Sequence, residues 1–505
     1  MGSPGRHEDP IATSRNPTSW TAFVATLSVA VIIDNAPFPR TVWDAWITGS
    51  AIRDPAEVLA RAGWVLVAVF TLLRPSSMLR YAVLCLAGTA VIISRLPTVP
   101  NHWILELGVF VGSLATLATA RDRKQAINGV QVLVWGSILA VYAWTFVHKL
   151  NWGFLDPEVS CGAVFLESLG DRLGLPPPTR TLRVSAVFAV LVCEGAMPIL
   201  LLGSRLRAVA VLLGLGLHLM FGLFVPAFSL FMWATYFLLL PADSLEPAFA
   251  SLARSRAWLA RQTRQRFSSV GLPRGINRAV IVLLLASAIL AIKDIPTFRS
   301  LNQQETVFLP LAAAIGALVI SALRACRMHL SIARPPLRVS AVAALFSILL
   351  LLNGAVPYLG ARNTLAFSMF SNLRTENGQS NHLFLPSLET SLSVLHDQIE
   401  VLESSDPVLD SYARPQNRIL WNWTALIPRS RKAELQLPLF MVRYRAQELR
   451  DAGQPMFSIR LSQEGGVRAL SAREVGSLPP VDTLAGWLHW SKGTPLPPHR
   501  DACMW

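Results

Sequence analysis

Long apolar runs constrain this chain more than any other feature. A helix needs about 20 mostly apolar residues to cross the hydrocarbon core of a bilayer. Such runs lie at 17–34, 61–73, 78–94, 102–120, 129–149, 182–203, 208–225, 227–241, 277–293, 307–323 and 339–358. The second and eighth are short enough to tilt, re-enter or extend into their flanks. Hydrophobic residues make up 52% of the 505 positions and charged residues 15%, against roughly 25% charged in an ordinary soluble domain. The pattern predicts an all-α polytopic membrane bundle of about 11 transmembrane helices over residues 1–360. A small α+β extracytoplasmic domain follows over 361–505.

The net charge of +14 would suit a nucleic-acid partner, but its distribution argues for a membrane. Numbered from a cytoplasmic N-terminus, the inside segments carry Arg6 and Arg15; Arg74 and Arg80; Arg121, Arg123 and Lys124; Arg205 and Arg207. Arg254, Arg256, Arg261, Arg264, Arg266, Arg274 and Arg278 follow, then Arg324, Arg327, Arg334 and Arg338. Outside loops hold about half as many, although they include the long 35–60 and 150–181 stretches. This is the positive-inside bias. A nucleic-acid face would be a continuous basic patch with interleaved aromatics, and none is visible, so no nucleic acid is expected. With the N-terminus inside, the residues after 358 fall outside. Asp34-Asn35-Ala36-Pro37 is a poor cleavage site, so the first run reads as an uncleaved anchor rather than a secretory signal.

Past Pro357 the composition shifts. Thr364–Leu373, His382–Pro386 and Gln398–Glu403 have strand character. Leu439–Asp451 reads as an amphipathic helix, and Met456–Leu461 with Val467–Leu470 as a hairpin around Glu464-Gly465-Gly466. Asn422-Trp423-Thr424 matches a glycosylation acceptor, a motif common by chance. The five cysteines are odd in number and lack C-x-x-C spacing, so no metal is expected. Only Cys161 and Cys503 fall on the oxidising side. They either pair, clamping the tail onto the loop after the fifth run, or remain two separate thiols.

Ionisable groups at membrane depth are costly and are functional candidates by default. His102 and Glu106 lie in the fourth run, His148 and Lys149 at the end of the fifth, Glu194 in the sixth and His218 in the seventh. Each has a bland reading. A lysine at a helix end snorkels to the interface, a bundle histidine bonds to a neighbouring helix, and a glutamate pairs with Arg95 or another span.

The stretch Thr145-Phe146-Val147-His148-Lys149-Leu150-Asn151-Trp152-Gly153 resembles the lysine motif of the vitamin K-dependent γ-glutamyl carboxylases and their bacterial relatives. That group shares the horizontally transferred transmembrane (HTTM) domain. Asn101-His102-Trp103 resembles the histidine block that precedes the lysine motif. His218-Leu219-Met220-Phe221-Gly222 with Phe228-Ser229-Leu230-Phe231-Met232-Trp233-Ala234-Thr235-Tyr236 resembles a later pair of helices. Ala366-Phe367-Ser368-Met369-Phe370 is similar to the segment that opens the lumenal domain. The blocks occur in family order over roughly 100–385. No propeptide-binding region is recognisable, and the match is closer to HTTM proteins of unassigned activity than to the animal carboxylases.

The resemblance implies a bacterial plasma-membrane protein and a mechanism. In those enzymes a lysine amine deprotonates a reduced quinone. The quinone reacts with oxygen, and the resulting alkoxide takes a γ-proton from glutamate so that the carbanion captures carbon dioxide. Carried over, Lys149, His102 and His218 become the catalytic candidates, converging on one cavity open to the outer leaflet. His148, Glu194, Ser229, Met232 and Tyr236 become contacts to a reduced lipid quinone. An amine acts as a base only when neutral, and low dielectric disfavours charged amines in general. The implied partners are the bilayer, the quinone and an extracytoplasmic protein or peptide substrate. The competing class is a non-catalytic membrane protein, a maturation or transport partner whose polar pocket binds lipid or peptide. As an edge-of-cavity residue, Lys149 is expected to tolerate alanine without loss of folding.

Overall fold

The computed structural model describes residues 18–35, 55–95, 102–172, 174–241, 245–247, 303–325, 335–362, 365–368, 370–375, 380–388, 398–407, 409–410, 435–463, 466–481 and 494–495. The chain is mostly helical. In order, the helices of the bundle are α1 (Thr18–Asp34), α2 (Pro55–Leu72), α3 (Met78–Arg95), α4 (Trp103–Thr119), α5 (Arg123–Lys149), α6 (Cys161–Arg172), α7 (Arg180–Leu202), α8 (Arg207–Gly222), α9 (Pro226–Leu239), α10 (Gln303–Ala325) and α11 (Leu337–Gly354). Every apolar run but one coincides with a helix. The run at 277–293 lies outside the described residues, as do the inside arginines from Arg254 to Arg278 and Asn422–Thr424.

Among the described residues, four helices are long and apolar enough to cross a membrane by length and composition: α5, α7, most of α10, and α11. The other apolar helices are shorter. The 14 residues of α9 rise about 21 Å, less than the hydrocarbon core of about 30 Å. All of α9 is buried, so it is a central helix wrapped by others, mainly α1. On α7 the apolar side chains Phe188, Val192 and Ile199 are each more than half exposed, as are Leu345, Ile348 and Leu352 on α11. An uncovered apolar stripe at helical spacing is what a lipid-facing helix presents. The apolar helices are thus compatible with an integral membrane protein.

Local chemistry sets the ends of the helices. Asp122 caps α5, accepting from Gln125 N at 2.9 Å, and Pro226 takes the first position of α9 where its missing N–H costs nothing. α5 packs closely on α11. A Cβ at Gly136 would collide with Ser347, and one at Gly129 with Val339, so two glycines seven residues apart let the backbones approach.

After α11 a short 3-10 turn, Val356–Leu359, leads back over the end of α5. The strand expected over Thr364–Leu373 does not form among its described residues. Leu365, Phe367, Phe370 and Asn372 all take left-handed φ of 54–60°, incompatible with a pleated ladder. The expected strand at His382–Pro386 shrinks to one bridge between His382 and Asn151.

Further on, β1 (Gln398–Ser404), β2 (Leu435–Pro438), β3 (Ile459–Gln463), β4 (Gly466–Leu470) and β5 (Thr494–Pro495) form an antiparallel sheet in the order β4-β3-β1-β2-β5. β3 and β4 make the anticipated hairpin. α12 (Leu439–Asp451) has the bounds read from its periodicity, and a short α13 (Ala472–Gly476) is closed by a Ser471–Glu474 capping box. Val401, Leu437, Val442, Leu461 and Val475 belong to a separate small core here.

Candidate functional site

Helical spacing builds one wall of the site. On α5, Tyr142, Thr145 and Lys149 recur at three and four residues and share a face. α7 supplies Glu194 from the facing side, α8 supplies His218, and α9 supplies Phe228 and Met232. Together they line one small cavity. Its walls are otherwise apolar, with Val141, Leu217, Phe221, Val225 and Phe370 among them.

Lys149 is 2% exposed, so it does not snorkel to water. Its Nζ lies 2.8 Å from Glu194 Oε2. The contact is close but poorly aligned: Glu194 Oε2 has no properly directed hydrogen bond. The remaining company of the amine is Thr145 O at 3.5 Å and the Phe154 ring at 5.6 Å. Lysine has three donors, and besides the Glu194 carboxylate this one has only the long contact to Thr145 O.

Opposite the pair, His218 Nε2 is 2.8 Å from Tyr142 Oη, which is 2.6 Å from Tyr236 Oη. His218 Nδ1 is buried without a partner.

The other expected residues fall elsewhere. His102 does not line the cavity. Its ring sits 5.3 Å from Phe228, which also lies 5.3 Å from His218. Of the three expected residues, the cavity lining brings together Lys149 and His218 but not His102. His102 Nε2 instead lies 3.9 Å from Glu106 Oε1, beside Trp103, whose Nε1 donates to Asp34 Oδ2 at 2.9 Å. His148 turns away because successive helical residues diverge by about 100°. Its Nε2 meets Gly354 O at 2.9 Å, and its ring packs in a three-way cluster with Trp144 and Tyr358. Met232 lines the cavity. Tyr236 stands one layer behind it, and Ser229 Oγ is buried without a partner outside the lining. Glu194 is occupied by Lys149, so its part is that of a counter-ion first. That also corrects the expectation that Lys149 tolerates alanine, since truncation would strand a buried carboxylate.

Four residues bind the lysine motif to the segment after α11. Asn151 Nδ2 donates to Ser371 O at 2.6 Å and to His148 O at 2.7 Å. Asn381 Nδ2 donates to Asn372 O at 2.9 Å, and Asn372 Oδ1 accepts from Cys161 N at 2.8 Å. His382 Nδ1 accepts from Phe384 N and Leu385 N at 3.0 and 2.9 Å. Its Nε2–H therefore donates to Val147 O at 2.8 Å. These bonds hold Phe370 in the cavity wall. Burial lowers the pKa of His382 below the ordinary histidine value, and the Val147 bond offsets part of this.

Asn151 stands in the motif, but nothing in the sequence marks Asn372, Asn381 or His382 as its partners. Tyr142 was accessible to sequence reasoning, two turns before Lys149 on the same face. Cys161 is disulfide-bonded, while Cys85 and Cys193 are free. The cysteine expected to join it, Cys503, lies outside the described residues. Among the described residues, no group of three or more His, Cys, Asp or Glu side chains is placed to hold a metal.

Comparison of the chain with protein-family models, curated proteins and solved structures returns no match.

Proposed function

We propose that the chain is a bacterial HTTM-type plasma-membrane protein of about 11 spans. In this reading its N-terminus is cytoplasmic, and the cavity and the residues after 358 lie on the outer side. The Lys149–Glu194 pair moves a proton to and from a lipid-soluble, quinone-like ligand, a carboxylase-like or quinone-dependent chemistry. The alternation of basic loops, the uncovered apolar stripes of α7 and α11 and the ordered motif blocks support this reading. The observation that carries it is a buried amine, 2.8 Å from a carboxylate, in a cavity with mostly apolar walls.

The residues present fit such a ligand. Phe221, Phe228, Met232 and Phe370 offer flat apolar contact, while the unpartnered Nδ1 of His218 and the unspent donors of Lys149 await oxygen atoms. A reduced lipid quinone, when bound, supplies an acidic hydroxyl and reducing equivalents. Lys149 Nζ is the atom that accepts the proton. Acceptance requires a neutral amine beside an ionised Glu194. The transfer turns that pair into a net-neutral ammonium–carboxylate, the less costly condition for ionisable groups in low dielectric, and the negative charge is left on the ligand oxygen. The apolar wall keeps water from competing for the base.

A second reading has an observation of its own. Because Glu194 already occupies Lys149, the pair can be a structural tie between α5 and α7 in a non-catalytic protein that binds lipid or peptide. Lys149→Arg separates the two. Guanidinium keeps the charge and the pairing but cannot serve as a base. In the enzyme, oxygen uptake with added reduced quinone is lost while the fold persists; in the structural tie, every measurable property survives. Solvent extraction of the purified protein adds an independent arm. About one quinone per chain supports the first reading, and its absence together with tolerance of Lys149→Arg leaves the second.

A further inference from the structure

Buried donors and acceptors normally find partners, and the cavity wall contains a histidine nitrogen that does not. His218 is 2% exposed. Its Nε2 is taken by Tyr142 and its Nδ1 is unpartnered. The two tyrosines in the chain Tyr236–Tyr142–His218 own two hydroxyl hydrogens, and counting them assigns the ring from the hydrogen-bond network.

In one direction Tyr236 donates to Tyr142 and Tyr142 donates to Nε2. Both hydroxyl hydrogens are then used, Nε2 is an acceptor, and the neutral ring carries its hydrogen on Nδ1. In the other direction Nε2–H donates to Tyr142 and Tyr142 donates to Tyr236. The Tyr236 hydrogen then has no acceptor among the described residues, and Nδ1 is a bare lone pair. The first direction leaves one group unsatisfied and the second leaves two, so the first is favoured. A protonated ring leads to the same place, because it too carries hydrogen on Nδ1. The arrangement depends on Gly214, one turn before His218 on α8, where a Cβ would collide with the Tyr236 hydroxyl.

We infer that Tyr142 is a positioning residue that fixes His218 as a hydrogen-bond donor through Nδ1, with Tyr236 donating to Tyr142 from behind. The cavity thereby selects an apolar ring molecule bearing an acceptor oxygen, a carbonyl or oxyanion, over the same ring without one. The ligand half rests on the cavity being a ligand site, as proposed above; the tautomer half does not. A bound acceptor oxygen completes the hydrogen bonding of His218, whereas a hydrocarbon leaves Nδ1–H stranded.

The test uses the full-length protein in lipid nanodiscs, labelled with 15N-histidine, with the His218 signals assigned by their loss in His218→Gln. The wild type is expected to show a protonated Nδ1 and a pyridine-type Nε2. Tyr142→Phe, which removes the hydroxyl with little change of shape, shifts the proton toward Nε2, whereas Tyr236→Phe keeps it on Nδ1. A purely structural tyrosine would leave the tautomer unmoved. A wild-type ring protonated only on Nε2 overturns the assignment, whatever the variants do.

Binding is then measured with 1-tetralone and tetralin, rings of nearly equal size with and without a carbonyl. The ketone is expected to bind about tenfold more tightly, as one good hydrogen bond provides, and Tyr142→Phe shrinks that ratio toward one. Equal binding of the two probes with Nδ1 protonated overturns the ligand class and leaves the tautomer standing. Binding of neither overturns the ligand site and the function built on it.

Discussion

Two ion pairs of similar length sit in the bundle and in the sheet unit, and they are built differently. In the sheet unit, Arg445 reaches Asp406 through Nε and Nη2 and Glu448 through Nη1, all at 3.1 Å. Asp406 also accepts from Leu409 N at 3.0 Å. Burial lowers the pKa of the Arg445 guanidinium, but Asp406 and Glu448 outweigh it and the net shift is upward. Arg445 keeps a quarter of its side chain in solvent. In the bundle, the side chains of Lys149 and Glu194 are 3% and 5% exposed, 2.8 Å apart and poorly aligned. The first pair spends its hydrogen-bonding capacity on the fold. The second leaves capacity unused beside a cavity, and a group that is buried, charged and under-bonded is a candidate for chemistry.

Breaking the bundle pair gives the largest expected effect. Lys149→Met or Glu194→Gln alone should cost about 3–5 kcal/mol, because the partner's buried charge or polarity is left uncompensated. Lys149→Met combined with Glu194→Met should recover most of the loss. Thermal or denaturant unfolding in a fixed detergent measures all three, and singles that unfold like the wild type would dissolve the contrast. The end of the bundle carrying Lys149 is also tied covalently through Cys161. Cys161→Ser should cost about 2–4 kcal/mol, and non-reduced peptide mapping should recover Cys161 joined to Cys503. A different partner would detach the tail from the lysine motif.

In the sheet unit, Asp406→Ala should cost about 1–2 kcal/mol through its lost hydrogen bonds. It should leave ligand binding in the cavity unchanged, which sharpens the division of labour. The smallest effect concerns pH. Protonating His382 Nδ1 would break two backbone bonds, so the folded chain resists a proton that the unfolded chain accepts near 6.5. That contribution is complete above about pH 6.5 and fades as pH falls below it, with a slope under about 1.4 kcal/mol per pH unit. Unfolding scans between pH 5 and 8 should show the slope, and His382→Ala should remove it.

The sequence speaks plainly where a property is periodic. The bounds of α12 and the C-terminal ends of α5 and α7 follow from repeating apolar spacing, and Lys149 and Glu194 declared themselves as charges amid apolar runs. Their pairing was not legible, because they stand 45 positions apart on helices whose relative rotation no local pattern encodes. The absence of His102 from the cavity lining was illegible for the same reason. The Thr364–Leu373 reading failed differently. Its Thr and Phe residues favour strands, but side-chain bonds from Asn151 and Asn381 to its backbone replace a ladder. Four non-glycine residues in left-handed conformation result, each costing on the order of 1–3 kcal/mol.

The burial of α9 on all sides carries a consequence for how the protein is made. α1 is synthesised before α9, on which it mainly packs, and α9 begins 192 residues after α1 ends (226 minus 34). At typical translation speeds of about 5–20 residues per second, α9 emerges on the order of 10–40 seconds after α1. In that interval α1 can meet α2, and Trp20 can meet Tyr81 of α3, 4.9 Å away in the finished fold, but the face that α9 covers stays open. The fold therefore closes late and around its centre, and a slowed ribosome lengthens the time that face is left uncovered.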